Sequence, residues 1–361
     1  MQAKPGEILR FAQNDNLLSF PGPMKRVPLE SERMKLNLHS HLEGRLRPAT
    51  AAALAAEAGV TAPDGGWERA LQLDGPANLT VYLTKVAATY PFFRSPKHIA
   101  RIACEAVEDA AADGTDYLEL RFGPATHVHL GFDMDSVMAA VCDGISEGMS
   151  RSGIEAGVVI AALRHHDEET NAGVARAAAH FAGKGVVGFD LAGDELLFHD
   201  LSQYEKSFAI ARAAGLGLTC HAAEAQPGAA ARDAVERFGV TRIGHGAHLA
   251  EDPDSLRWVR DHGVVVECCP TSNWYTGAIA RRSEHPARHF SEHHLKIVLG
   301  DDNPIQTQSL LSNERRVLRD ELGFSDQDLL ALDRTSVDAA FIEDGTRQDF
   351  RSRLAQPHQP K

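Results

Sequence analysis

Aromatic residues make up only 6% of this chain, while alanine, glycine, valine and leucine are abundant. That balance disfavours an all-β sandwich and suits helices packed on buried strands. Basic residues are also in deficit: 37 Lys and Arg face 50 Asp and Glu, a formal charge of -13. A nucleic-acid surface needs clustered cations to displace counterions, so a polyanionic partner is disfavoured and a small neutral or cationic ligand is expected. No CxxC pair occurs among the five cysteines, Cys104, Cys142, Cys220, Cys268 and Cys269. A thiolate zinc site is therefore not supported, and an odd number of thiols inside apolar runs reads as free cysteine in a reducing cytoplasm. No stretch reaches the roughly 18 apolar residues of a membrane span. No GxGxxG or Walker A sequence follows a strand-like run, which removes the usual marks of a dinucleotide or P-loop fold.

Residues 1–33 lack the continuous apolar centre of a signal peptide and read as a polar leader without a fold of its own, with Met24 and Met34 as alternative starts to Met1. From residue 34 the pattern becomes regular. Strand-like runs begin at Leu36 and cover Tyr117–Phe122, Gly157–Leu163, Val186–Leu191, Leu216–Cys220, Thr241–Ile243, Val264–Cys268 and Lys296–Leu299, with helical stretches between them. Runs apolar on both faces are typical of parallel strands. Eight such units predict an α/β fold of the (β/α)8 TIM-type barrel class with additional helices, spanning residues 34–345 as one domain with a tail at 346–361. Nothing in the sequence specifies an oligomeric state.

In a barrel of this kind the chemistry sits at the C-terminal ends of the strands. His39 and His41 lie at i and i+2 on the first strand, so both imidazoles face the same way and can share a cation. Two ligands leave a zinc shell unfilled, and further strand ends offer candidates. The fifth gives His221 with Glu224 three residues on, and the sixth gives His245 between Gly244 and Gly246. The eighth gives the adjacent carboxylates Asp301 and Asp302, one of which can bind metal while the other faces a substrate. Of the remaining histidines, His127, His129, His285 and His289 read as loop or helix-face residues. No strand-end lysine follows Val186–Leu191 to bridge two metals, so a single metal is expected.

Together these stretches resemble the adenosine deaminase family of metal-dependent amidohydrolases, from about Lys35 to the last helices. The resemblance is carried by His39-Ser40-His41-Leu42-Glu43-Gly44, Tyr117 to Pro124, Gly188 to Glu195, His221-Ala222-Ala223-Glu224, Gly244-His245-Gly246, Cys269 to Asn273, Thr276-Gly277-Ala278 and Asp301-Asp302. It implies one Zn2+ per chain held by His39, His41, His221 and Asp301. It further implies that His245 and Asp301 orient and deprotonate water, that Glu224 protonates N1 of a 6-aminopurine, and that ammonia leaves from C6. Asp302 would meet the purine N7 and the Gly193 amide its N3, with His41 on the substrate side of the metal and Glu43 toward the sugar. The implied reaction is hydrolytic deamination of adenosine, or of a closely related purine nucleoside.

Three departures from the family pattern bear on the substrate. Glu43 stands where nucleoside-acting members commonly carry Asp and adenine-acting members Glu. Ala223 replaces a glycine, and Gly300-Asp301-Asp302-Asn303-Pro304 reads as the usual Thr-Asp-Asp-Pro with one residue inserted before the proline. These changes keep free adenine and aminodeoxyfutalosine open as substrates. A lactonase or phosphoesterase barrel and a catalytically inactive purine-binding barrel are the readings of other kinds.

Overall fold

A computed structural model describes residues 34–128 and 131–355. The leader expected at 1–33 and His129 lie outside the described residues.

Eight parallel strands run in chain order: β1 Leu36–His41, β2 Tyr117–Phe122, β3 Glu155–Leu163, β4 Val186–Ala192, β5 Gly217–Ala222, β6 Arg242–His245, β7 Val265–Cys268 and β8 Ile297–Leu299. Seven neighbouring pairs form one continuous sheet. Closure comes just past β8, where Asp302 bridges Ser40 and exchanges backbone hydrogen bonds with β1, from Asp302 N to His39 O at 2.9 Å and from His41 N to Asp302 O at 2.7 Å. Gly300 makes that approach possible, since a Cβ there would come within 3.0 Å of His39 Cα. The result is a nearly closed (β/α)8 barrel, as the alternation of apolar strands and helices predicts.

Residues on the outer strand faces, such as Leu118, Leu120, Val158 and Ile160, join the surrounding helices in the main apolar core. Helix starts follow ordinary capping chemistry: Ser95 accepts from His98 N ahead of Pro96–Ala112, and Asp133 from Ser136 N ahead of Met134–Ser152. No described helix is long and apolar enough to cross a membrane.

Two sequence expectations change. The expected tail at 346–361 instead begins inside a helix, Asp344–Ala355, because Phe350 is buried against Tyr117 with ring centroids 6.1 Å apart. Strands β5 and β6 also extend further than their apolar runs and take in His221 and His245, which the sequence places at the ends of these strands.

The barrel interior is unusually charged. Arg121 binds both Asp190, at 2.9 Å, and Glu267, while Arg242 binds Glu119 and lies 2.7 Å from Glu267. All five are fully buried. Below this layer the Arg242 guanidinium stacks on the Phe341 ring at 3.7 Å.

Candidate active site

Above the charged layer, His39, His221, His245 and Asp302 each offer one ligand atom, and these atoms lie within 4.8 Å of one another. His41 adjoins them, with Nε2 3.2 Å from His221 Nε2 and 3.3 Å from Asp302 Oδ1. The two imidazoles on β1 therefore do share a face, and β5, β6 and the turn after β8 supply the rest. Gly244 keeps the centre open, because a Cβ there would stand 3.0 Å from His39 Cε1. Of the strand-end residues, Ala223, His245 and Asp302 all adopt positive φ, between 55° and 64°. Left-handed backbone at non-glycine residues costs roughly 1–2 kcal/mol each, and here it gathers where strand geometry gives way to side-chain placement.

Asp301 is not part of this cluster. Its Oδ2 lies 2.5 Å from Arg45 Nη2, both side chains almost fully buried, while Asp302 turns inward. The expectation that Asp301 is a ligand and base and Asp302 a purine contact is thereby corrected. Asp302 pairs with β1 as the sheet closes, and its left-handed φ of 56° carries it to the imidazoles. Counted back from Pro304, Asp302-Asn303-Pro304 falls where the family has Asp-Asp-Pro, so no insertion is needed. Arg45→Ala should leave Asp301 buried without its cation and cost about 3–5 kcal/mol, read as a lower denaturation midpoint.

The imidazoles are oriented from below. His39 Nδ1 is 2.8 Å from Glu267 and His221 Nδ1 3.0 Å from Asp190, so in both rings Nε2 is the nitrogen presented to the cluster. Glu267 opposes its own burial and is held well below the usual carboxylate range by Arg121 and Arg242. Arg121 touches both orienting carboxylates, and Glu267 also accepts from Thr219 Oγ1 at 2.9 Å. Burial holds His41 near 3, aided by the neighbouring imidazoles, and pushes His245 well below its ordinary value. A metal requires the neutral ring, so binding one would displace the proton of His39, whose pKa burial and Arg121 would lower but Asp302 and Glu267 raise above its ordinary value.

The donor set fits a divalent cation on two further observations. His39 Nε2 is buried without a hydrogen-bond partner. The two buried guanidiniums Arg121 and Arg242 meet three carboxylates, Glu119, Asp190 and Glu267, and a fourth, Asp302, lies against the imidazoles of His39 and His41. Two negative charges are left over, and burying them uncompensated is costly. Arg121→Lys, which cannot grip both orienting carboxylates at once, should weaken metal binding about 10- to 100-fold, measured by competition with a chelator.

Beside the cluster, Glu224 is 4% exposed. Burial raises it well above the usual carboxylate range, helped by the charges of Asp302 and Glu195. Glu195 also steadies the chain that follows, accepting from Ala225 N and Gln226 N at 3.1 Å. Asp302 shows the opposite behaviour: burial would raise it, but the His39 ring, 3.5 Å away, and the surrounding imidazoles hold it well below its ordinary value. Two carboxyls in one pocket are thus driven to opposite protonation states, the arrangement that separates an acid from a base.

At the rim, Glu43 Oε1 meets Gly123 N at 3.2 Å and His127 Nε2 at 3.3 Å, and Gly193, the residue after β4, has a left-handed φ of 116°. The structure also gives partners to residues to which the sequence assigns no role. Tyr82 and Ser272 hydroxyls reach Asp302 Oδ2 at 2.9 and 2.5 Å. Asn273 and Thr276 reach Glu224 Oε1 at 3.1 and 2.9 Å. His127 and His285, expected as loop or helix-face residues, are both buried. Asp190, Glu267 and Arg121 carry a legible signal, since a charge inside an otherwise apolar strand demands a partner. His127 and His285 carry none.

A family model described as adenosine deaminase matches residues 34–357. The chain belongs to the adenosine deaminase family. Among its relatives, an adenine deaminase of Rhizobium leguminosarum bv. trifolii is 33% identical over 320 residues, covering 89% of this chain and 98% of that protein. An adenosine deaminase of Clostridium perfringens is 31% identical, covering 88% and 96%. Among solved structures, Arabidopsis ADAL complexed with GMP superposes with a TM-score of 0.80 at 25% identity, covering 89% of this chain and 96% of that one. As an adenosine deaminase family member the protein is a hydrolase acting on C–N bonds in cyclic amidines, and it deaminates adenine-type substrates.

Proposed function

We propose that the protein is a zinc-dependent deaminase of adenosine or a closely related 6-aminopurine nucleoside, converting it with water to the 6-oxo product and ammonia. The observation that carries this reading is a buried Glu224, its carboxyl pushed above the usual range by burial, held beside an imidazole and carboxylate cluster that contains Asp302. His39, His41, His221 and Asp302 would hold one zinc ion. His245 is set apart from them because its Nδ1 accepts from Asn273 Nδ2 at 3.0 Å, which leaves the proton of the neutral ring on Nε2. Bound zinc supplies Lewis acidity that makes water a nucleophile near neutral pH.

The chain's own groups do the rest. Glu224 donates its proton to N1, drawing electron density from C6. Asp302 accepts the proton of the attacking water, and His245 orients that water through its Nε2–H. Collapse of the tetrahedral centre releases ammonia. With Asp302 drawn into the cluster, the N7 contact falls to Asn303. Its amide nitrogen donates to Asp302 Oδ1 at 2.9 Å, which sets it beside the cluster where the purine edge would lie. A carboxamide can donate to N7 without first being protonated. Gly193 lies on the side of N3, and His41 borders the substrate from the metal side.

A second reading, free adenine as substrate, is favoured by Glu43. Its carboxylate is 6% exposed and already engaged by His127 and Gly123, which keeps it from reaching freely for a sugar. The similarity to an adenine deaminase points the same way. The five free thiols fit a reducing cytoplasm. The test of the zinc reading is removal with a chelator: ammonia release from adenosine and adenine should cease and return on adding one equivalent of zinc. Release that persists in verified metal-free protein would rule zinc dependence out.

A further inference from the structure

A chain of buried hydrogen bonds runs from a helix start to the two groups that meet the substrate. The helix Ala287–Glu292 begins with an amide, Ala287 N–H, that has no partner within its own helix. This amide lies 3.1 Å from His285 Nδ1. A backbone amide can only donate, so Nδ1 accepts, and the neutral ring holds its proton on Nε2. His285 Nε2 lies 3.1 Å from Asn273 Oδ1, so its proton fixes the carbonyl end of that carboxamide. The amino end must then face the other way, and its two hydrogens reach Glu224 Oε1 at 3.1 Å and His245 Nδ1 at 3.0 Å.

The consequence for Glu224 is specific. Its Oε1 accepts from Asn273 and from the Thr276 hydroxyl at 2.9 Å. An oxygen receiving two hydrogen bonds is the carbonyl oxygen of a neutral carboxylic acid, so the acid proton sits on Oε2. Among the described residues no side chain pairs with Oε2. The two ends of a carboxamide have nearly the same shape, so packing alone would not choose between them. Turned over, Asn273 would present an acceptor to both neighbours. Glu224 would then be protonated at Oε1 and His245 at Nδ1, each on the side away from the substrate. His285 is the group that selects between these states. Burial holds it down to about 3, so it remains a neutral single donor through the working range.

We propose that His285 is a positioning residue for the deamination: through Asn273 it fixes which oxygen of Glu224 carries the transferable proton and which ring nitrogen of His245 faces the substrate. This rests on Glu224 as the N1 donor. A plain packing role for His285 would lower stability without regard to Glu224, which gives the test its leverage.

Zinc-loaded variants are compared by steady-state ammonia release from adenosine and adenine, whichever is turned over faster. His285→Ala should lower kcat about 10- to 100-fold, in the range of lost outer-shell orientation, with KM changed less than about twofold and zinc content unaltered. His285→Gln, whose amide can donate to Asn273 Oδ1, should recover most of that loss. In a Glu224→Gln background the His285→Ala penalty should shrink to the share that acts through His245, because coupled groups are not additive. An equal penalty in both backgrounds, with His285→Gln no better than His285→Ala, overturns the positioning role. If His285→Ala does not fold, Asn273→Asp carries the same comparison, since it places an acceptor against Glu224 Oε1 and His245 Nδ1. Retention of full turnover by Glu224→Gln alone would instead remove the N1-donor reading itself.

Discussion

Asp302→Ala should strip the protein of its metal and abolish turnover, whereas Asp301→Asn should leave zinc content intact. The two residues are adjacent aspartates and both are buried, so composition does not distinguish them. Geometry does. Asp302 Oδ1 lies 3.3 Å from His41 Nε2 and 3.5 Å from His39 Nε2, while Asp301 is committed to Arg45. Removing Asp302 deletes an anionic ligand and leaves the Tyr82 and Ser272 hydroxyls without their acceptor. Zinc affinity should fall by more than the ~10- to 100-fold typical of losing an outer-shell partner. Asp301→Asn keeps a hydrogen-bonding side chain beside Arg45 but removes its countercharge, so its penalty should appear in stability. Elemental analysis of both purified variants, beside their thermal midpoints, checks this; metal loss from the Asp301 variant would reverse the assignment.

Glu224→Gln should retain zinc and lose about 10²- to 10⁴-fold in turnover, the usual contribution of a positioned general acid. The amide fills the same space and keeps a carbonyl oxygen for Asn273 and Thr276. What it cannot do is release a proton to N1. Because the loss arises only as charge develops on the ring, kcat and kcat/KM should fall together. The pH profile gives an independent view. Burial raises the Glu224 carboxyl well above its ordinary value, so the donor form persists into the range where an exposed glutamate is ionised. The rate should decline on the alkaline side as that proton is lost, and Glu224→Gln should lack that limb. An unchanged alkaline limb in the variant would assign it to another group.

Much of this was legible in residue order. Apolar runs such as Val158–Ala162 and the helical stretches between them specify a barrel, and the period-two placement of His39 and His41 puts them on one face. His221, His245 and Glu224 are legible as strand-end polar residues in a fold that does its chemistry there. The choice between Asp301 and Asp302 is different in kind, since it depends on one left-handed residue where β8 closes against β1. Aspartate at such a position carries no glycine-like mark in the sequence. His285 is hidden for another reason. It lies 12 residues from Asn273 in a stretch with no periodicity, and only the packing of a short helix brings its ring to that carboxamide.

Steady-state ammonia release by protein carrying one zinc per chain, with adenosine and adenine offered separately, bears most directly on the whole account. The expected result is stoichiometric ammonia and 6-oxopurine product from at least one of them, adenosine foremost. Full zinc occupancy with no ammonia from either compound would contradict it.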